Sequence, residues 1–131
     1  MEHKELMLLA CEARERAYAP YSGFAVGAAL LTKGGKVYTG CNIENAAFSP
    51  TNCAERTAFF KAVSEGEREF VAIAVTGGPA SKVPAENCTP CGVCCQVMAE
   101  FCGADFVILL GNDEMLTVHS LGDLLPHSFS L

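Results

Sequence analysis

Two short stretches of the sequence decide the fold, Cys53-Ala54-Glu55-Arg56 and Pro90-Cys91-Gly92-Val93-Cys94. Apolar residues follow each stretch at helical spacing, which predicts helices over 53–65 and from about 91 to 102. A glycine stands directly after each of these segments, where it can end the helix. Both groups of cysteines are therefore predicted to lie at helix N-termini. In the helix that begins at about residue 91, the face predicted to point inward carries Val93, Val97, Met98 and Phe101.

The rest of the chain supplies a first helix and five short strands. An apolar stripe predicts the helix over 2–17, and Ala19-Pro20 ends it because the residue before a proline resists helical dihedrals. A Gly/Pro-rich loop is predicted over 77–90. Strands alternate with helices, so an α/β sandwich with parallel pairing in its second half is expected, in a single domain spanning 1–131. The predicted strands cover 24–31, 37–40, 70–75, 106–110 and 115–118.

The composition limits the classes of partner. Half of the 131 residues are hydrophobic and only 18% are charged, below the ~25% typical of soluble domains. A domain with so little charged surface is expected to cover part of it with copies of itself. The net charge of -6 argues against nucleic acid, whose binding normally needs clustered Lys and Arg. No apolar run approaches the length of a membrane span, so a neutral small molecule is the favoured partner.

The eight cysteines indicate metal binding rather than disulfides. Residues 1–16 do not resemble a signal peptide, so a reducing cytoplasm and free thiols are expected. Cys91 and Cys94, at i and i+3 on a first helical turn, share a face and can bind one Zn²⁺ together. Cys53 would be the third ligand. Three protein ligands leave the fourth tetrahedral position open, which is typical of a catalytic zinc site.

Glu55 and Arg56 are the polar residues next to the predicted zinc ligands. Because Cys53 begins its helix, the Glu55 carboxylate is predicted to approach the open zinc position from the side. There it would take a proton from the zinc-bound water, pass it to the ring nitrogen of a substrate amidine, and then protonate the leaving amine. Arg56 lies on the same helix face as Cys53 and could donate to the sulfurs. The alternatives are that Glu55 complements the helix dipole and that Arg56 is a solvated helix residue.

Two further motifs accompany the two cysteine stretches, namely Tyr21-Ser22-x-Phe24-x-Val26-Gly27-Ala28 and Gly40-Cys41-Asn42-Ile43-Glu44-Asn45-Ala46. Together the four motifs resemble those of the short, homotetrameric, zinc-dependent cytidine deaminases. A Cys-x-Glu stretch followed by Pro-Cys-x-x-Cys is the signature of zinc-dependent base deaminases. The resemblance implies a three-layer α/β/α fold with a mixed sheet of about five strands. It also implies hydrolysis of cytidine and deoxycytidine to uridine and deoxyuridine in pyrimidine salvage, with zinc-bound hydroxide attacking C4.

The same resemblance implies roles in substrate binding. Phe24 would pack on the pyrimidine, Asn42 and Glu44 would hold the ribose hydroxyls, and the backbone at Ala54 would contact the base. A carboxylate at Glu44 would also repel a phosphate, so nucleosides are expected to be favoured over nucleotides. From the residues alone, Phe24 would be a core residue, Asn42 a turn residue and Glu44 a solvated loop charge.

Two aromatic residues and one departure complete the comparison with that family. Phe48 and Phe129 resemble aromatics that line a neighbouring subunit's pocket, which would make the homotetramer necessary for activity. Cys95 stands where the family commonly has Arg, so Arg56 alone would balance the thiolates. Cys95 and Cys88 are both predicted to be unligated.

Two other interpretations remain open. Cys91-Gly92-Val93-Cys94 resembles a thioredoxin-type redox pair, which would leave Cys53 and Glu55 unexplained. Alternatively, Cys88 could complete a closed, structural Cys₄ zinc site with the other three cysteines.

Overall fold

The computed structural model describes residues 1–84 and 87–131. The strands form one sheet, in which the third and fourth pair in parallel and all other neighbours are antiparallel. The mixed five-stranded sheet is therefore confirmed. Among the described residues, none of the helices has the length and apolarity needed to span a lipid bilayer. The elements are α1 (His3–Arg14), β1 (Phe24–Thr32), β2 (Val37–Cys41), α2 (Ala54–Ser64), β3 (Phe70–Pro79), α3 (Gly92–Phe101), β4 (Val107–Gly111), β5 (Leu116–Ser120) and α4 (Leu121–Leu124), with strand order β2-β1-β3-β4-β5.

Helices cover both faces of the sheet, because successive residues of a strand point to opposite faces. On one face, strand residues pack with α2 and α3 in a cluster that includes Leu30, Ile73, Ile108, Phe59 and Met98. On the other face, strand residues pack with α1 in a cluster that includes Ala29, Ala74, Leu109, Met7 and Ala10. This arrangement confirms the three-layer α/β/α fold.

Two glycines let helices lie directly on the strands. A Cβ added to Gly27 in β1 would lie 2.1 Å from the carbonyl oxygen of Ala10 in α1. A Cβ added to Gly40 in β2 would lie 2.3 Å from the carbonyl oxygen of Ala54 at the start of α2. Protein interiors are close-packed, so neither position has room for a side chain. Gly40 therefore fixes the N-terminus of α2 against the sheet.

Two elements have bounds that differ from the prediction. The first helix ends at Arg14 rather than at residue 17. Strand β3 continues to Pro79, whereas the segment from residue 77 was predicted to be loop. Gly77 and Gly78 pair with Val26 and Ala25 of β1. Glycine lowers strand propensity, but its backbone groups still form ladder hydrogen bonds when a partner strand is present.

The inward face of α3 is rotated relative to the prediction. Cys94, Cys95 and Met98 are the buried residues of this helix, whereas Val93 is 59% exposed. The prediction that Val93 faces inward is wrong. Apolar residues occur all round this helix, so its hydrophobic pattern does not select one face.

Candidate active site

The starts of α2 and α3 bring three cysteine sulfurs together. Cys53 is the N-cap of α2, Cys91 is the N-cap of α3, and Cys94 lies in the first turn of α3. Their Sγ atoms all lie within 4.8 Å of one another. The Sγ–Sγ distance is 4.0 Å between Cys53 and Cys91 and 3.4 Å between Cys91 and Cys94. We call this set the three-sulfur group.

The geometry and chemistry of the three-sulfur group fit a zinc ion. Tetrahedral coordination with Zn–S bonds of about 2.3 Å places neighbouring sulfurs about 3.8 Å apart, between the two distances given above. Thiolates are favoured zinc ligands, and helix N-termini stabilise thiolates. Within residues 1–84 and 87–131, this is the only group of three or more Cys, His, Asp or Glu side chains close enough to share a metal.

Arg56 balances part of the negative charge of the group. Its Nη2 donates a hydrogen bond to Cys53 Sγ at 3.2 Å, where the spacing of the sequence predicted it. Hydrogen bonding with Cys94 and then with Arg56 lowers the pKa of Cys53 to about 5, against the opposing effect of burial. The same hydrogen bonding with Cys53 raises the pKa of Cys94. Of Cys53 and Cys94, Cys53 is therefore the thiol that ionises first.

Glu55 is buried beside the three-sulfur group. It lies in the first turn of α2 and is only 4% exposed. Burial is the main cause of a pKa raised to about 7, and the negative charge of Cys53 adds to it. A carboxyl group with this pKa gains and loses a proton readily at neutral pH, as general acid–base catalysis requires. A surface residue that only complements the helix dipole would have neither property.

Two further cysteines lie near the three-sulfur group without belonging to it. Cys95 is buried, and its thiol donates a long hydrogen bond of 3.8 Å to the Pro90 carbonyl oxygen. Cys88 has a pKa raised to about 11, mainly by burial and further by the charges of Glu55 and Cys53. Across the described residues, no fourth sulfur closes the group, which disfavours the structural Cys₄ alternative. The third sulfur, on Cys53, disfavours a simple redox pair.

Phe24 stands at the start of β1 beside a cavity. It is 41% exposed, so the composition-based expectation of a core residue is wrong. Asn42 fixes the backbone around it: Asn42 Oδ1 accepts from Val26 N at 2.9 Å, and Asn42 Nδ2 donates to Phe24 O at 2.8 Å. Cys88, whose pKa is raised mainly by burial and further by the charges of Glu55 and Cys53, borders the same cavity. This first cavity has a volume of about 320 Å³ and is lined by Phe24, Gly77, Gly78, Pro79, Lys82, Val83, Asn87 and Cys88.

Glu44 borders a second cavity and is held by the loop before β1. Its carboxylate accepts hydrogen bonds from Tyr21 N at 2.9 Å, from Ser22 N at 3.1 Å and from the Ser22 hydroxyl. The hydrogen bonds from Ser22 are the main reason that the pKa of Glu44 is lowered. This second cavity has a volume of about 430 Å³ and is lined by Tyr21, Ser22, Glu44, Asn45, Phe48 and Thr51.

Ser22 is a site residue that the sequence reasoning did not single out. Its hydroxyl donates to Glu44, and its Oγ also accepts from Phe24 N at 3.0 Å. It therefore connects the residues that border the two cavities. A serine two positions before Phe24 is a signal for such a turn, since Ser side chains bond the backbone two residues on.

Three further residues were predicted to contact the substrate: Ala54, Phe48 and Phe129. Ala54 is buried at the start of α2. Phe48 is 75% exposed and borders the second cavity. Phe129 is 68% exposed and lies against α3, where Gln96 Nε2 donates to its carbonyl oxygen at 2.9 Å. The two aromatic rings thus stand on different parts of the surface.

The chain is similar to known proteins over nearly its whole length. Residues 1–110 match the family described as the cytidine and deoxycytidylate deaminase zinc-binding region. The chain is 52% identical to the cytidine deaminase of Sporosarcina psychrophila, over 99% of this chain and 93% of that protein. Identity is also 52% to the cytidine deaminase of Halalkalibacterium halodurans, over 99% and 96%. The crystal structure of cytidine deaminase from Burkholderia pseudomallei has a TM-score of 0.90 and 49% identity, covering 98% and 100% of the two chains.

The matched region contains both cysteine stretches and Glu55. Its description as a zinc-binding region agrees with a donor set that fits Zn²⁺, which is the cofactor. Full-length identity, a common fold and the three-sulfur group together show that this chain belongs to the zinc-dependent cytidine deaminase family.

Proposed function

We propose that this chain catalyses the hydrolysis of cytidine and deoxycytidine to uridine and deoxyuridine, with release of ammonia, in pyrimidine salvage. The observation that carries the proposal is the convergence of three sulfurs beside a buried Glu55 with a pKa of about 7. Its support also includes relatives at 52% identity that are named cytidine deaminases. In the reaction, water adds at C4 of the pyrimidine and the exocyclic amine leaves.

We assign Cys53, Cys91 and Cys94 as the ligands of Zn²⁺. When bound, the ion lowers the pKa of water towards neutrality and so supplies a strong nucleophile at physiological pH. Arg56, which donates to Cys53 Sγ at 3.2 Å, holds one ligand in place and offsets part of the negative charge of three thiolates. An orienting partner of this kind supports the ligand geometry of a metal site.

Glu55 moves the protons of the reaction. As a carboxylate it accepts a proton from the attacking water, and as an acid it donates that proton to ring nitrogen N3. It then takes the second water proton and gives it to the departing amine, which leaves as ammonia. A pKa of about 7 suits both the uptake and the donation of a proton, because neither the ionised nor the protonated form of Glu55 is strongly preferred at neutral pH.

The substrate is held by residues from the loop before β1 and the loop after β2. Phe24 offers a ring for stacking on the pyrimidine, and the buried backbone at Ala54 offers contacts to the base. A carboxylate accepts about four hydrogen bonds, and three reach Glu44 from the chain. One acceptor position therefore remains for a ribose hydroxyl. Asn42 keeps one amide hydrogen for the sugar, because Nδ2 uses only one of its two on Phe24 O.

We propose further that residues 1–131 form one catalytic domain that assembles into a homotetramer in the cytoplasm. The support is the low share of charged residues, the exposed rings of Phe48 and Phe129, and eight cysteines that are all free. In that assembly, Phe48 and Phe129 would line the pocket of a neighbouring subunit. A net charge of -6 supports a nucleoside rather than a nucleic acid as substrate.

The proposed activity is tested by the ultraviolet absorbance of cytidine and of deoxycytidine incubated with the zinc-loaded protein. We expect the spectrum to change to that of the uracil nucleoside, with one ammonia per substrate. A zinc chelator should abolish turnover, and added zinc should restore it. If the zinc-loaded protein releases no ammonia from either nucleoside, the proposal is wrong.

The role of Glu55 is tested by Glu55→Gln, with Glu65→Gln as the matched control. Glu65 is the exposed C-cap residue of the same helix. We expect Glu55→Gln to keep one zinc per chain and to lose at least about a hundredfold in turnover, the usual contribution of general acid–base catalysis. Glu65→Gln should leave both quantities unchanged. Equal turnover of the two variants would remove Glu55 from the mechanism.

The role of Glu44 is tested by offering cytidine and its monophosphate under the same conditions. A buried phosphate next to this carboxylate would meet like-charge repulsion. We therefore expect kcat/KM for the monophosphate to be at least about tenfold lower. Comparable values for the two substrates would refute this assignment.

A further inference from the structure

Arg14 is a buried cation that the mechanism above does not use. It ends α1 and is only 8% exposed. Its guanidinium donates from Nε to Ala25 O at 2.9 Å, and from Nη2 to Gly78 O at 3.1 Å, Pro79 O at 2.7 Å and Lys82 O at 3.0 Å. Four backbone carbonyl groups thus share one positive charge.

The four carbonyl groups belong to segments that border the first cavity, namely the start of β1, the end of β3 and the residues after β3. Ala25 directly follows Phe24, whose ring borders that cavity. Gly78, Pro79 and Lys82 line the same cavity. The pairing of Phe24 with Pro79 is the last of the β1–β3 ladder. Arg14 therefore ties the start of β1 to the end of β3 and to the residues after it, in addition to the backbone hydrogen bond from Ala80 N to Gly23 O at 2.8 Å.

We propose that Arg14 is a positioning residue for the substrate: it fixes the spacing between Phe24 and the segment from residue 78 to 82, and so sets the width of the cavity that receives the nucleoside. This inference rests on the proposed function. Arg14 does not touch the substrate, because its guanidinium is engaged by the backbone behind the cavity walls. Its effect is exerted through the backbone of its four partners.

The planar guanidinium is required for this role. Arginine presents several N–H groups in a rigid fork, whereas the lysine ammonium is a compact group on a flexible stem. A lysine at position 14 keeps the charge, but its single ammonium group cannot donate to Ala25 O and to the three other carbonyl oxygens at the same time. The released carbonyl oxygens would let the cavity wall shift. A shifted wall makes looser contacts with the substrate both before and during the reaction, and such a loss of uniform binding raises KM more than it lowers kcat.

The test compares Arg14→Lys and Arg14→Gln with the matched changes at Arg16. Arg16 lies just beyond the end of α1 and is exposed. We expect both Arg14 variants to raise KM for cytidine about tenfold to a hundredfold while the zinc content stays at one per chain and kcat falls by less than KM rises. Arg16→Lys and Arg16→Gln should leave KM within about twofold. These kinetic constants are measured on the folded zinc-loaded protein, well below its unfolding temperature.

The outcomes separate this inference from the proposed function. If the wild-type chain does not deaminate cytidine, the proposed function fails first. If the wild type is active and both Arg14 variants lower the unfolding temperature without changing KM, Arg14 is only a stabilising residue and the inference is wrong. Arg14→Lys keeps the charge and most of the stem, so it decides the question if Arg14→Gln does not fold. Failure of both variants to fold also assigns Arg14 to stability and overturns the inference.

Discussion

At the scale of single residues, the charge of Glu55 is set by competing surroundings. The N-terminus of α2 favours a carboxylate, whereas burial and the neighbouring Cys53 thiolate favour the protonated acid. Burial wins, because the pKa lies at about 7 instead of the ordinary 4.5. A residue on the surface of the same helix would remain ionised and could not donate a proton at neutral pH.

The raised pKa of Glu55 predicts a pH-dependent stability of the zinc-free protein. Folding disfavours the ionised form of Glu55. Well below pH 4.5, Glu55 is therefore protonated in both states and does not lower the free energy of unfolding. As the pH rises towards 7, it lowers that free energy increasingly. A change from 4.5 to about 7 corresponds to roughly 3 kcal/mol at full ionisation. Urea unfolding at about pH 5 and about pH 8 should therefore show Glu55→Gln gaining stability over wild type at the higher pH. A difference that is the same at both pH values would contradict the assignment.

The cysteines predict a sharp contrast between two alanine substitutions. Cys53→Ala removes a sulfur of the three-sulfur group, so we expect zinc affinity to fall by at least about a hundredfold, more than the loss of a supporting residue costs. Cys95→Ala removes a buried thiol that faces the Pro90 carbonyl instead, so zinc affinity should change only a few-fold. Competition with a chelator of known affinity measures both. Similar losses in the two variants would show that Cys95 belongs to the metal site.

At the scale of elements, the position of α2 depends on the absence of a side chain at Gly40. Gly40→Ala would place a Cβ 2.3 Å from Ala54 O and 2.6 Å from Ala58 N. We expect overpacking to destabilise the protein by about 1–3 kcal/mol or more and to weaken zinc binding, because the start of α2 carries Cys53. Thermal unfolding and chelator competition measure the two effects.

Gly34→Ala is the matched control for this change. The nearest atom to its Cβ would be Thr32 Oγ1 at 3.9 Å, and the backbone there is not left-handed. We expect its unfolding temperature and zinc affinity to equal those of the wild type. If Gly40→Ala behaves like Gly34→Ala, the contact between β2 and α2 does not position the site.

Local sequence patterns predicted the helices better than the end of β3 and the face of α3. The extents of α2 and α3 follow from the apolar spacing within short segments and from the glycine that ends each of them. The extension of β3 through Gly77 and Gly78 depends on pairing with β1, which is remote in sequence. The burial of Cys95 and exposure of Val93 depend on which side of α3 meets the sheet.

At the scale of the whole molecule, the site is built by strand pairing. Helix α2 precedes β3, and α3 connects β3 to β4, which pair in parallel. Crossover connections between parallel strands have a fixed hand, so α3 lies on the sheet face that α2 also covers. Their N-termini then lie side by side, and the three sulfurs meet.

The exposed aromatic residues predict an assembly. We expect sedimentation to give a mass about four times that of the chain, and Phe129→Ala to raise KM for cytidine at unchanged zinc content. Burial of an aromatic ring at an interface is a common source of association energy. Met115→Ala, at a residue that is 76% exposed and has no assigned role, is the control. A fully active monomer would contradict both the tetramer and the role of Phe129.

The sequence by itself determined the metal chemistry, the helix starts and the resemblance to one enzyme family, because ligand type and i, i+3 spacing are local properties. Only the tertiary structure decided that Cys53 meets Cys91 and Cys94, that Glu55 is buried enough to have a pKa of about 7, and that Arg14 joins the start of β1 to the end of β3. The physical reason is that distance and desolvation depend on packing between segments far apart in the chain. Neither can be obtained from the order of residues within one segment.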